Sequence, residues 1–424
     1  MTEQSAVTLV ADVIPGREQA LAQVLAELGR DPARNEVVPF GALHDVHYAR
    51  LVTVEPTVLP NGRPVLGKLV YMADVDGPAD RHLVRLVSLA GARLDRVFGH
   101  CVDYPVGRRA TQPGRLAFLR ARQVPAAATY VNTTGRTVHE IRREARLRDA
   151  IEEFLDRGGD WSRARPAEVR EAIRRFVAGD RSLSWATAPR KSPGVVARVR
   201  AALDLVPLPL ALLAVFPLVL LVLPFYLALL RRAELTDAAP IVRPDPRRVD
   251  ALAALEDRVA QNQFTAIGYL KPGLLRQVTA RTILYLANWG VRHIFNHADL
   301  TGVKTIHFAR WVFLDGGRRL IFGSNYDGSL EAYMDDFIDK VSWGLNAVFS
   351  NGVGYPRTNW LVLDGAKDEL AFKYFIRNHQ LPTQVWYAAY DDVTALNAEN
   401  NARIRDGLAG DLDEAATTAW LRRL

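Results

Sequence analysis

Two short histidine–arginine motifs are the parts of this sequence best suited to chemistry. HYAR runs from His47 to Arg50, and HFAR runs from His307 to Arg310. An imidazole can transfer protons or ligate a cofactor, and a guanidinium can pair with an anion or stabilise developing negative charge. We therefore take His307 and Arg310 as candidate catalytic residues and Arg50 as a candidate cofactor-binding residue.

A purely structural interpretation of both motifs stands beside the functional one. A histidine inside a strand can serve only as a hydrogen-bonded core residue. In the strand from Thr305 to Leu314, Arg310 shares a face with Phe308 and Val312, and a guanidinium on an apolar face needs an anionic partner. That partner is either a protein carboxylate or a ligand anion, such as a propionate, a fatty-acid carboxylate or a phosphate.

Other motifs narrow the chemistry further. The sequence has no HExxH, GxSxG, P-loop, GxGxxG or CxxC motif, so hydrolase, kinase, nucleotide-binding and zinc functions lack their usual sequence support. His293 and His297 have the i,i+4 spacing of two ligands on one helix face, which makes His293 a further candidate ligand. The tryptophans are scattered and form no stacking array, so we expect no nucleic-acid partner.

An internal repeat organises the chain. In each copy, the histidine–arginine motif is followed by an Asp-Gly pair and then by a Tyr-Pro pair. The interval from Asp76 to Pro105 is 29 residues, as is the interval from Asp327 to Pro356. Motifs in the same order with one identical interval indicate a duplication.

Each copy predicts the order strand, helix, two antiparallel strands, helix, which is the split pattern of ferredoxin-like folds. The second helix of the second copy is expected from Ser329 to Phe349, with Asp327 or Ser329 as its N-cap. Both faces of the motif strands are mostly apolar, so both need covering. We predict an α+β protein in which two ferredoxin-like repeats pack as an intrachain dimeric α/β barrel.

Four regions follow from this division. Residues 1–110 form the first repeat and residues 263–356 form the second. Residues 111–262 form a helical insertion that carries a membrane-associating segment at 205–230. Residues 357–424 form a C-terminal extension, which begins with a predicted short apolar strand in the sequence TNWLVLD.

The segment Leu205–Leu230 has 26 residues and no charge, which is long enough to cross a bilayer as a helix. A spanning helix would put the two repeats on opposite sides of the membrane, where they could not pack together. Pro217 lies near the middle and is expected to break the segment into two arms. We therefore favour a re-entrant or in-plane (monotopic) element over a single transmembrane helix or a buried core hairpin.

Bulk properties suggest where the protein works. The net charge of +7 favours anionic lipid, because arginines crowd both ends of the apolar segment. The single cysteine, Cys101, allows no internal disulfide. The N-terminus lacks the apolar core of a secretory signal. We expect the protein on the cytoplasmic face of the cell membrane.

The repeats resemble the dimeric α/β-barrel superfamily, which includes chlorite dismutases and dye-decolourising peroxidases. The resemblance covers Val7 to Pro105 and Phe264 to Pro356 and rests on the order of elements. It implies a haem cofactor, with His307 or His293 on the iron as metal ligand and Arg310 stabilising charge on oxygen. HFARW, SNYDGS and GRTVHEIRREARLRD also resemble an uncharacterised bacterial family within or near that superfamily.

Two function classes stay open. The first is a membrane-associated oxidoreductase that uses haem and acts on a lipophilic or lipid-derived substrate. The second is a non-catalytic lipid-binding or membrane-scaffolding protein. In both, the expected partners are membrane lipid and a lipophilic small molecule.

Overall fold

A computed structural model describes residues 4–59, 62–190, 194–257, 259–293 and 302–424. The described strands are β1 Gln4–Asp12, β2 Val46–Val54, β3 Thr57–Val58, β4 Pro64–Val65, β5 Lys68–Asp76, β6 Ala128–Val131, β7 Gln261–Tyr269, β8 Ile306–Leu314, β9 Arg319–Asp327, β10 Thr358–Asn359, β11 Leu363–Asp364 and β12 Val385–Ala388. The described α-helices are α1 Glu18–Leu28, α2 Ala79–Ala90, α3 Asp95–Phe98, α4 Gln112–Ala121, α5 Val138–Arg157, α6 Pro166–Gly179, α7 Val195–Leu205, α8 Pro207–Thr236, α9 Pro246–Ala253, α10 Leu274–His293, α11 Leu330–Phe349, α12 Glu369–His379, α13 Ala395–Asp406 and α14 Glu414–Leu421. The predicted mixed α+β class is confirmed.

The structure has two four-stranded antiparallel sheets built to one plan. The first sheet has the order β1-β5-β2-β12, and the second has the order β7-β9-β8-β6. The fourth strand of each sheet comes from the other half of the chain. Strand β6 follows the first half but joins β8, and β12 follows the second half but joins β2.

The exchanged segments touch both sheets. Before β6 begins, Gln123 forms a β-bridge with Leu9 of β1, in the first sheet. Before β12 begins, Gln380 forms a β-bridge with Ala266 of β7, in the second sheet. The regions 111–262 and 357–424 are thus not separate from the sheets, because each contributes one strand. The exchange ties the two halves together through backbone hydrogen bonds.

The two sheets pack against each other through an apolar layer. That layer contains Val54, Val70, Met72, Val312, Leu314 and Ile321. Helices cover the outer faces, with α1 and α2 on the first sheet and α10, α11 and α12 on the second. Helices α5, α6, α13 and α14 pack into a separate helical cluster.

Local sequence signals account for several helix starts. Helix α5 begins with a capping box, in which the Thr137 hydroxyl accepts from the Glu140 amide and the Glu140 carboxylate accepts from the Thr137 amide. Helix α11 begins after Ser329, whose hydroxyl accepts from the Ala332 amide. Of the two predicted caps for α11, Ser329 is therefore the one observed.

The apolar segment is one continuous helix. Helix α8 has 30 residues and runs through Pro217 and Pro224, so the predicted break at Pro217 is wrong. Its length is about 45 Å at the usual helical rise. It is the one helix among the described residues that is long and apolar enough to cross a membrane, and its most apolar window is not buried by any other part of the protein.

Helix α8 contacts the folded body near its C-terminal end, and a short linker limits how far α7 can lie from the body. Helix α7 leads into α8 through Val206, which keeps helical φ and ψ angles, so α7 cannot fold back along α8. Arg190 pairs with Glu144, and the five peptide steps from Arg190 to Val195 can span at most about 18 Å. At the other end, the Tyr226 hydroxyl lies 3.0 Å from the Thr279 hydroxyl of α10. Helix α8 is thus held to the body near its C-terminal end, while its apolar part is exposed.

The predicted strand TNWLVLD is also wrong. Its ends form the two-residue strands β10 and β11, which pair with each other. The residues between them form a tight turn, in which Trp360 and Leu361 have φ angles of 52° and 70°. The segment is thus an apolar hairpin.

Candidate functional site

His47 and His307 lie at equivalent β-bulges. In the first sheet the register shifts between Val46 and Tyr48, and in the second it shifts between Ile306 and Phe308. A bulge adds one residue to a strand and turns its side chain out of the regular alternation. The two histidines are the added residues.

Each histidine is paired with the aspartate of the Asp-Gly motif in its own half. The distance from His47 Nε2 to Asp76 Oδ1 is 3.0 Å, and that from His307 Nε2 to Asp327 Oδ1 is 2.6 Å. The second carboxylate oxygen of Asp76 accepts from the Val138 amide. Each aspartate thereby joins a histidine to the start of the helix after an exchanged strand, α5 for Asp76 and α13 for Asp327.

Asp327 contacts the start of α13 and not the start of α11, where it was predicted as a cap. Asp327 was one of two expected caps for α11, but its Oδ2 accepts from the Ala395 amide at 2.8 Å, at the first residue of α13. The carboxylate thus lies at the positive end of a helix that is distant in sequence. Periodicity around Asp327 could not reveal this partner.

Aromatic rings fill the space between the two histidines. The Tyr48 ring lies 5.4 Å from the His307 ring, and the Phe308 ring lies 5.1 Å from the His47 ring. His47 Nδ1 lies 2.8 Å from the Tyr390 hydroxyl. The histidines are therefore enclosed by protein on several sides, and both are buried.

Arg50 and Arg310 cross between the sheets. The Arg310 guanidinium donates to the Val7 carbonyl at 2.6 Å and to the Asp74 carboxylate, both in the first sheet. The Arg50 guanidinium donates to the Phe264 carbonyl at 2.7 Å and to the Asn325 side-chain carbonyl, both in the second sheet. Of the two partners considered for Arg310, a protein carboxylate is the one present.

The two arginines that link the sheets have partners of different charge. Asp74 lies two residues before Asp76 in the first half, and Asn325 lies two residues before Asp327 in the second. At these equivalent positions, Arg310 meets a carboxylate and Arg50 meets a neutral amide. Burial, together with the nearby Arg310 charge, lowers the pKa of Arg50 to about 10, although Asp74 opposes that effect. The Asn325 side-chain amide donates in turn to Asp74 at 3.2 Å, so the Asp74 carboxylate is linked to Arg310 directly and to Arg50 through Asn325.

The predicted site residues do not form an open site. His307, Arg310 and Arg50 are each buried and bonded to protein groups. His293 lies at the end of α10 beside Trp289, with ring centroids 5.2 Å apart, and His297 lies outside the described residues. Among the residues that the structure describes, no group of three or more His, Cys, Asp or Glu side chains is placed to hold a metal ion.

A haem group does not fit at His307 in this arrangement. Its Nε2 atom, which would have to face iron, is directed at the Asp327 carboxylate instead. Arg310 is likewise held by Asp74 rather than turned toward a cavity. The implied roles of both residues would require this buried network to break.

An apolar cavity lies elsewhere, between the outer face of the second sheet and helices α11 and α12. Its volume is about 60 Å³. Aromatic and aliphatic side chains make up nearly all of its wall, including Phe264, Trp311, Phe322, Met334, Phe337, Phe349, Phe372, Phe375 and Ile376. This space equals about two water volumes and is smaller than sites for drug-sized ligands, which measure roughly 300–1,000 Å³. It can hold the end of a hydrocarbon chain but not a macrocycle.

Small residues on β7 account for the cavity. Gln4 pairs with Asp76 in the first sheet as Gln261 pairs with Asp327 in the second. From this register, Ala266 and Gly268 correspond to Leu9 and Ala11. The larger pair is buried in the core of the first half. In the second half, His379 occupies the space beside Gly268, and Ala266 lines the cavity where the first half has Leu9.

Among the described residues, His379 is the one histidine in the cavity wall. Its Nδ1 lies 2.8 Å from the Phe375 carbonyl, and a Cβ added at Gly268 would lie 3.2 Å from its Cδ2 atom. Burial lowers the pKa of His379, so the neutral form is favoured. A neutral imidazole is compatible with an apolar neighbour.

A surface groove adjoins the cavity at His379. The groove is lined by Ala239, Pro240, Ile241 and Val242, which follow the apolar helix, and by Val353 and Gly354. His379 and Phe375 line both the groove and the cavity. The cavity and the groove therefore lie on adjacent sides of Phe375 and His379, next to the chain segment that leaves α8.

Sequence reasoning missed this cavity and His379. The signal available was the comparison of the two repeats, in which Ala266 and Gly268 replace larger residues. No protein-family model, no curated protein and no solved structure matches this chain.

Proposed function

We propose that this protein is attached to one face of a membrane and binds the apolar chain of a lipid or lipid-like molecule along the groove of its second half, with the end of the chain in the adjoining cavity. The observation that carries the proposal is the sharing of Phe375 and His379 between the cavity and the groove beside residues 239–242. That groove begins where the exposed apolar helix ends. A lipid chain could thus pass from the bilayer to the cavity over a short distance.

Membrane attachment rests on α8. Its side chains are apolar around the whole circumference, and those from 209 to 225 are exposed, which water disfavours. A crossing helix would carry α7 to the far side of the bilayer. Because Val195 must stay within about 18 Å of Arg190, and Arg190 pairs with Glu144 on the body, we favour a monotopic helix in one leaflet.

We also assign the two sheets to a pair of ferredoxin-like halves that together form an intrachain dimeric α/β barrel. The shared strand order and the exchanged fourth strands support this assignment. The bridges at Gln123 and Gln380 support it too, because each exchanged segment contacts β1 or β7 of its own sheet before joining the other. The paired sheets would then act as a rigid support for the cavity.

The lipid-binding alternative has more support than the haem oxidoreductase. The saturated contacts of His307 and Arg310 and the small volume of the cavity both weigh against a macrocycle. Purified protein with a Soret absorption band would reverse this preference. Protein that lacks the band but yields a bound lipid on extraction would support the binding function.

The cavity can be tested by exchanging equivalent residues. Ala266→Leu installs the residue of the first half and should weaken binding of cis-parinaric acid, a slender fluorescent fatty acid, by about tenfold or more, as the loss of roughly 1.4 kcal/mol would produce. Fluorescence titration measures the affinity.

The matched control is Leu9→Ala, which removes a side chain from the first half. It should lower stability by about 2–5 kcal/mol and leave the affinity for the probe unchanged. If folded Ala266→Leu protein binds the probe as well as the wild type does, the cavity is not the binding site.

A further inference from the structure

The hairpin formed by β10 and β11 presents an apolar tip at the base of α8. Trp360 is 49% exposed and Leu363 is 50% exposed, with Val362 exposed between them. Large apolar side chains at a tight turn are unusual, because turns normally use Gly, Asn, Asp, Ser and Pro. The tip therefore has a composition that turn formation does not explain.

The backbone of the tip is strained as well. Trp360 and Leu361 have φ angles of 52° and 70°, in the left-handed region that favours glycine. A bulky residue in this region costs conformational energy, and such residues persist where the surroundings hold them in place. Glycine or asparagine at these positions would form the same turn with less strain.

A carboxylate on the apolar helix holds this turn. Glu234 of α8 is buried, and its carboxylate accepts from the amides of Trp360 and Leu361 at 3.0 and 2.7 Å. It also accepts from the Thr358 hydroxyl at 3.0 Å. Polar backbone groups of the tip thus face inward to α8, while the apolar side chains remain outside.

The hairpin tip lies beside the part of α8 where the apolar sequence ends and charged residues begin, as expected at a bilayer surface. Charge first appears in α8 at Arg231 and Arg232, one turn before Glu234. The Arg231 guanidinium lies 5.7 Å from the centre of the Trp360 ring. Tryptophan with neighbouring arginine is typical of the boundary between hydrocarbon and headgroups.

A second element extends the same apolar surface. Helix α10, which contacts α8 through Thr279 and Tyr226, exposes Leu274 and Val278 one turn apart. Leu274 is 76% exposed. The two elements that contact the C-terminal part of α8, the hairpin and α10, therefore both carry exposed apolar side chains.

We propose that the hairpin tip, Trp360 to Leu363, is a second membrane contact that inserts into the interfacial layer of the bilayer beside α8. This inference rests on the proposed membrane attachment and adds an orientation, with the groove at residues 239–242 turned toward the lipid. The bilayer is the occupant favoured by the direct contact of the tip with α8, whose apolar surface continues into it. A second copy of the chain is the alternative outcome of the test.

Single cysteines carrying an environment-sensitive NBD fluorophore can test the contact. The native Cys101 is buried, and burial raises the pKa of its thiol to about 12, so it should not react under labelling conditions. Three positions are compared in the full-length protein: Leu363→Cys on the tip, Phe216→Cys on α8, and Val106→Cys as the control. Val106 is exposed and follows the Tyr-Pro pair of the first half, equivalent to the start of the hairpin region.

Vesicles of phosphatidylethanolamine and phosphatidylglycerol serve as the probe. We expect a blue shift and increased emission at positions 363 and 216 on adding vesicles, with no change at position 106. A response at 216 without one at 363 overturns the hairpin contact but leaves membrane attachment standing. A lack of response at all three positions refutes membrane attachment itself. A response at 363 that grows with protein concentration in the absence of vesicles assigns the tip to a contact between copies and overturns the proposal.

A loss-of-contact variant gives an independent measurement. Trp360→Ser/Leu363→Ser should bind the same vesicles about tenfold more weakly in a flotation assay, while Val106→Ser should bind like the wild type. Circular dichroism and thermal melting check that the variant is folded. Unchanged vesicle binding by a folded double variant would overturn the proposal.

Discussion

Arg310 of the second sheet is paired with Asp74 of the first, and this ion pair is buried between the sheets. Arg50 makes the reciprocal crossing but meets Asn325. The two arginines therefore connect the halves in opposite directions, with one carboxylate at the centre. Each arginine thus makes hydrogen bonds that link one sheet to the other.

Arg310→Leu should lower the free energy of unfolding by about 3 kcal/mol or more, because the buried Asp74 carboxylate would lose its cation. Urea denaturation measures the change. The double variant Arg310→Leu/Asp74→Leu should recover part of the loss, since it removes both charges. Arg120→Leu, which breaks the exposed pair with Asp80, is the control and should have little effect. If Arg310→Leu protein is as stable as the wild type but no longer binds ligand, the partner of Arg310 is a ligand anion.

Asp327→Ala should destabilise the fold by about 2 kcal/mol, because His307 and the first amide of α13 would both lose an acceptor. Asp76→Ala should have a similar effect through His47 and α5. Thermal melting compares the two. Affinity for parinaric acid should stay unchanged in folded protein, since neither aspartate lines the cavity. A strong loss of affinity without a loss of stability would return the histidine–aspartate pairs to the functional site.

Acidification should weaken the protein through His379. Burial lowers the pKa of this residue in the folded state, so the unfolded chain binds a proton more readily as pH falls below the ordinary histidine value of about 6.5. The free energy of unfolding should therefore fall by up to about 1.4 kcal/mol per pH unit and level off below the folded-state pKa. Denaturation at several pH values from 7.5 to 5 measures this slope, and His379→Gln should reduce it. Parallel slopes in the two proteins would exclude His379 as the cause.

Both ends of the apolar helix should be accessible from the same side of a membrane. Val196→Cys, before α8, and Ile241→Cys, after it, are exposed positions. In sealed vesicles, a membrane-impermeant maleimide should label both or neither, depending on which side the protein occupies. Labelling of one position from outside and the other only after lysis would identify a crossing helix.

Deletion of residues 205–230 provides the companion measurement. The deletion should release the protein from membranes, because these side chains contribute most of the apolar surface available to lipid. Membrane retention by the folded deletion variant would assign attachment to another part of the chain.

The sequence by itself determined the features that depend on local patterns. Strand and helix periodicity gave the mixed α+β class, and the uncharged stretch Leu205–Leu230 identified the long apolar helix. The shared HYAR and HFAR motifs marked equivalent strands, and the apolar neighbours of Arg310 predicted that it needs a buried partner. These inferences succeed because burial and backbone geometry act at spacings of two to four residues.

Only the tertiary structure decided which distant groups meet. Asp74 is far from Arg310 in the chain, and Asp327 caps a helix that begins at Ala395. The exchange of β6 and β12 also depends on long-range pairing, which periodicity does not encode. Likewise, the prolines of α8 did not break it, because a proline removes one hydrogen bond without forcing the chain to turn back. The cavity beside His379 lies where Ala266 takes the place of Leu9, and whether neighbouring helices fill such a space is a property of packing between elements.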